Sequence, residues 1–88
     1  MSYPIKITFN GAGGAVLLRD HSAGTVTSFA DEEEYLFLAA WQTEVLKEQG
    51  KIDTSKVKSI SVDVQSLPNA EFTIEQLRDK AEIEGFDI

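Results

Sequence analysis

Ile5, Ile7 and Phe9 alternate with Lys6 and Thr8, a period of two that predicts a strand with one buried face and one wet face. Asn10-Gly11-Ala12-Gly13-Gly14 supplies residues that reach positive φ cheaply, and Ala15–Arg19 resumes an apolar extended pattern, so a hairpin is expected. A second cluster of turn formers, Asp20–Gly24, precedes the β-branched run Thr25–Phe29, which extends the reading to a three-stranded meander. Later, Ile60, Val62 and Val64 alternate with Ser59, Ser61, Asp63 and Gln65, predicting a fourth strand over about 57–65.

Two stretches switch to helical spacing. An acid three residues after Ser28 or Asp31 marks a helix start, and Gly50 marks its stop, so the first helix is placed at about 31–49. At about 100° per residue, Tyr35, Leu38, Trp41, Val45 and Leu46 fall within roughly 80° of Leu38 and form the expected inner stripe. Gln42 and Gln49 share that arc, while Leu36 and Phe37 fall outside it. The second helix has sharper boundaries. Thr73-x-x-Gln76 is a capping box, Phe72 and Leu77 have the spacing of a hydrophobic staple, and Gly85-Phe86 fits a glycine stop. Ile74, Leu77 and Ala81 form its inner stripe.

The order is therefore β-β-β-α-β-α. One apolar sheet face needs a cover, and two amphipathic helices can supply it. The prediction is an α+β two-layer sandwich with a mixed or antiparallel four-stranded sheet and both helices on one face. Residues 1–88 are read as a single small domain, because 88 residues leave no room for a second core.

Composition narrows the function more by exclusion than by motif. The formal charge of -7 argues against direct binding of nucleic acid or anionic membranes, both of which need surplus lysine and arginine. With no cysteine there is no disulfide, thiolate nucleophile or sulfur-based zinc site. The longest strongly apolar run, Tyr35–Trp41, is far shorter than the ~20 residues of a membrane span, and the alternating start does not read as a signal peptide. The expected location is cytoplasmic.

The candidate catalytic motifs fail on context. Gly11-Ala12-Gly13-Gly14 precedes a strand instead of a helix and completes neither dinucleotide nor P-loop spacing. Asp20-His21-Ser22 has the residue types of a serine hydrolase, but three neighbours in one turn cannot form the relay between separated groups. No stretch supplies a calcium loop. Neither an enzymatic activity nor a cofactor or metal is expected.

What does stand out is where the charge lies. Residues 30–50 carry one lysine against six carboxylates, and residues 71–88 carry two cations against six, so the excess negative charge belongs to the two helices. If these lie side by side, their outer surfaces pool into one acidic face. A solvated surface that keeps the protein soluble accounts for such charge as well. Leu36 and Phe37 either pack under the glycine-rich turn or the C-terminal tail, or stay exposed. An exposed Phe37 beside Glu33 and Glu44 would be an apolar anchor with an acidic rim.

The functional expectation is a small acidic protein-interaction module or inhibitor that binds a basic protein surface through its helical face. Its partner-binding residues are read as Glu33, Glu34, Phe37, Glu44, Glu48, Glu75, Asp79 and Glu82. In one version the carboxylates mimic nucleic-acid phosphates and occupy the groove of a nucleic-acid-binding protein. The alternative is a structural subunit of a larger self-associating assembly, joined through the polar sheet face or a free strand edge. A monomer or small homo-oligomer is expected.

Overall fold

The computed structural model of the chain describes residues 3–26, 32–65 and 69–88. The strands are β1 (Tyr3–Asn10), β2 (Val16–Asp20), β3 (Thr25–Val26), β4 (Ser59–Val64) and β5 (Ala70–Thr73); the helices are α1 (Glu32–Glu48) and α2 (Ile74–Glu84). The expected α+β architecture forms, with an antiparallel ladder β2-β1-β4-β5 covered on one face by both helices. The expected cap at Ser28 or Asp31 and the third strand beyond Val26 lie outside the described residues.

Register explains the two-faced sheet. Ile5, Ile7 and Phe9 of β1 oppose Val64, Val62 and Ile60 of β4, and Phe72 of β5 opposes Ile60. These side chains are buried in one cluster with Tyr35, Ala39, Ala40 and Leu46 of α1 and with Ile74 and Leu77 of α2. On the other face Lys6, Thr8 and Asn10 oppose Asp63, Ser61 and Ser59. There Lys6 Nζ lies 3.5 Å from an Asp63 carboxylate oxygen, and Asn10 Nδ2 donates to Ser61 Oγ at 3.3 Å.

The meander is corrected in one respect. β3 pairs with β1, through Tyr3↔Val26 and Pro4↔Thr25, and not with β2. Because β2 also pairs with β1, through Ile7↔Asp20 to Asn10↔Val16, β2 and β3 are successive halves of one edge, interrupted by residues 21–24. The Ile5 N–H donates to the Gly24 carbonyl at 3.1 Å and stitches the interruption to β1. The glycine-rich turn is a short 3-10 turn, Ala12–Gly14, with Gly13 and Gly14 at φ 68° and 78°, values that favour glycine. β5 is an addition to the expected order: four residues long, it runs directly into α2.

α2 begins where its local signals place it. Gln76 N–H donates to Thr73 Oγ1 at 3.2 Å and Thr73 N–H donates to Gln76 Oε1 at 2.8 Å, so two otherwise unpaired backbone donors are satisfied reciprocally. Gly85 (φ 84°) ends it, and Phe86 N–H returns to the Ala81 carbonyl at 2.7 Å.

The inner face of α1 differs from the expected stripe. Tyr35, Ala39, Ala40, Gln42, Thr43 and Leu46 are buried, whereas Trp41 is 50% exposed. α1 packs against both the sheet and α2, so the face between them is built from small residues that allow close approach. Large apolar groups are then distributed around the helix, and Trp41 is turned outward.

Candidate functional site

The outer strip of α1 gathers the most distinctive surface chemistry among the described residues. On a 3.6-residue wheel, Glu34, Phe37, Trp41, Glu44 and Glu48 share an arc of about 80°, opposite the buried face. Phe37 and Trp41 stack with centroids 6.3 Å apart. Phe86, folded back by the Gly85 stop, completes the cluster at 5.7 Å from Phe37 and 5.3 Å edge-on to Trp41. Edge-to-face and offset aromatic contacts fix ring orientation and add to area burial. Of the two fates open to Phe37, packing against the C-terminal tail is the one adopted, and Phe37 is half-buried. Leu36 is also half-buried, against the core.

Beside this strip runs a groove of about 690 Å³ between α1 and the turn that follows β2. Its apolar walls are Ala23, Phe37, Leu38, Trp41 and Val45. The polar group on its floor, Gln42, is already committed: Nε2 donates to Asp20 Oδ2 at 2.9 Å and to Ser22 Oγ at 3.0 Å. Ser22 in turn donates to Asp20 Oδ1, from its hydroxyl at 2.7 Å and from its backbone N–H at 3.3 Å. Asp20 opposes Ile7 and therefore faces the covered side of the sheet, where these bonds satisfy its carboxylate. Asp20-His21-Ser22 is thus a structural turn that anchors α1 to the sheet edge.

The eight expected residues do not form one continuous face. Glu33 leans toward α2, where Lys80 Nζ sits 3.4 Å from it and 3.2 Å from Glu84. The Lys80 ammonium is held above its ordinary 10.5, first by the hydrogen bond to Glu84 and then, against the cost of burial, by the bond to Glu33. A cation thus divides the carboxylates of the two helices. Glu75, Asp79 and Glu82 lie within about 60° of one another on α2, and Glu75 and Glu82 are about 140–160° from Lys80, on the flank turned away from α1. Glu34, Glu44 and Glu48 remain with Phe37 on α1, although one oxygen of Glu44, Oε2, is enclosed without a hydrogen-bond partner among the described residues.

Trp41, expected on the inner stripe, is turned outward. The signal that locates it is the run of small residues, Ala39, Ala40 and Thr43, which defines the opposite face once small size is read as close packing. Among the described residues no group of three or more His, Asp or Glu is placed to hold a metal ion, and no helix is long and apolar enough to cross a membrane. No protein-family model, curated protein or solved structure matches this chain.

Proposed function

We propose that this chain is a small acidic protein-interaction domain, without catalytic chemistry, that engages a basic surface of a protein partner through the outer strip of α1. The observation that carries the reading is the half-exposed Trp41, braced by Phe37 and Phe86 and set among Glu34, Glu44 and Glu48. An ordered aromatic anchor loses little side-chain freedom on association, and surrounding carboxylates steer a cationic partner. A nucleic-acid-binding protein is one form of such a partner, with the acidic strip of α1 facing its cationic groove. A cytoplasmic location and a monomeric or weakly associating state belong to the same reading.

The test compares partners recovered from native lysate by the wild-type chain, by Trp41→Ala and by Glu48→Lys/Asp79→Lys, at low and high salt. The reading expects a partner whose retention falls with salt and with each variant. Equal recovery by all three proteins would overturn it. Sedimentation of the isolated chain separates the alternative: a stable symmetric oligomer would favour a self-assembling subunit built on the β2 edge, where Val16 and Leu17 are exposed.

A further inference from the structure

Resting on the interaction-domain reading, we infer that the groove beside Trp41 receives an amphipathic helix of the partner, with apolar residues on one face and basic residues near both ends. The lining runs from Phe37 to Gln49, which is about 18 Å along α1 at 1.5 Å per residue, or just over three turns. That length matches a helix laid alongside α1, with side chains at i, i+4 and i+7 entering between Trp41, Val45 and Ala23.

Backbone chemistry selects a helix over an extended segment. An extended peptide must find partners for the N–H and C=O groups that it turns toward the groove. The lining is mostly apolar, the floor amide of Gln42 is spent on Asp20 and Ser22, and the other amide side chain, Gln49, stands at one end. A helix arrives with its backbone groups already paired and needs from the site only apolar contact. Charge complementarity selects its ends. Glu34 and Glu48 lie about 40° apart on the wheel and about 21 Å apart along the axis, one near each end of the groove, and α1 itself carries one lysine, Lys47. Lys47 is turned toward the C-terminal tail, donating to the Asp87 carbonyl at 3.4 Å. The groove therefore offers acidic groups at both ends and an apolar middle.

The chain contains a single tryptophan, so its emission reports directly on this groove. The probe is a synthetic helical peptide of about 16 residues, with leucines at i, i+4 and i+7 and lysines at both ends, long enough to span the groove. Its control has the same composition with the leucines scrambled off one face. The spaced peptide is expected to bind and to shift Trp41 emission to shorter wavelength, and the scrambled peptide to bind about tenfold more weakly. Val45→Asp should weaken the spaced peptide about tenfold, and Glu48→Lys, an exposed change that leaves packing alone, about threefold to fivefold at low salt. Should Val45→Asp lose its fold by circular dichroism, Glu48→Lys and the scrambled peptide decide. Equal binding of both peptides without an emission change overturns the groove and leaves the acidic-surface reading standing. No binding of either peptide at low salt overturns that reading itself, and the groove with it.

Discussion

Gln42 Nε2 and Asp20 Oδ2 meet at 2.9 Å beneath the sheet edge, so an amide on α1 satisfies a buried carboxylate on β2. Removing one partner strands the other. Gln42→Leu keeps the bulk and deletes the donor, and is expected to cost about 1–3 kcal/mol in urea denaturation. Asp20→Asn keeps hydrogen-bonding capacity and should cost less. The double variant should cost less than the sum of the two, and strict additivity would show that the contact contributes nothing.

Trp41 and Phe72 make a direct comparison of position against size. Trp41→Ala removes a half-exposed ring and is expected to cost about 1–2 kcal/mol, while Phe72→Ala opens a cavity in the core and should cost about 3–5 kcal/mol. Equilibrium unfolding of both variants checks the order. A larger loss at Trp41 would mean that the aromatic cluster holds the fold together and is not a surface free to bind.

At Asp53 the prediction concerns pH. The Ser55 hydroxyl donates to its Oδ1 at 2.6 Å and the Ser55 N–H at 3.0 Å, and these bonds, with a smaller pull from Lys56, hold the carboxyl below its ordinary 3.8. A depressed carboxylate contributes stability that is complete above the unfolded value and is lost as pH falls through the folded one. Asp53→Ala should therefore be less stable than wild type at neutral pH, and the gap should close on acidification below about 3.8. Thermal melts across that range measure it, and a gap independent of pH would assign the loss to something other than the carboxylate.

Glu44 and Glu48 differ in surroundings although they are one turn apart. Oε2 of Glu44 is enclosed without a hydrogen-bond partner among the described residues, while Glu48 is exposed. Replacing either with glutamine relieves the same i,i+4 repulsion, worth about 0.2–0.5 kcal/mol. Glu44→Gln should stabilise by about 0.5–1 kcal/mol more than Glu48→Gln, because it also removes a poorly solvated charge. Equal midpoints in urea would show that the enclosure has no energetic weight.

What could be read from the chain alone divides by the range of the interactions involved. The limits of α2 depend on Thr73, Gln76 and Gly85, all within the helix or one residue from it, and the structure places them as the spacing predicts. The buried faces of β1 and β4 follow from strict alternation, which a single strand displays by itself. The orientation of α1 depends on α2 and the sheet together, so a wheel centred on its largest residues put Trp41 inside. β5 was hidden for a related reason: Phe72 reads as part of a staple, and only pairing with Ile60 across the sheet makes its segment a strand. Of the acidic surface, the charge of each helix was legible. The division at Lys80 was not, because one of its two contacts, Glu33, lies forty-seven residues away.

The break between β2 and β3 bears on how the molecule behaves when crowded. Among the described residues, a neighbouring chain seeking to extend the sheet on that side meets five residues of continuous backbone, then a loop, then two more. Cross-β stacking propagates along straight, unbroken templates, and the step between β2 and β3 interrupts one. The detour that carries Asp20 and Ser22 to Gln42 thereby also works as a guard against fibrillar growth, a protection written into the contour of the sheet and independent of its charge.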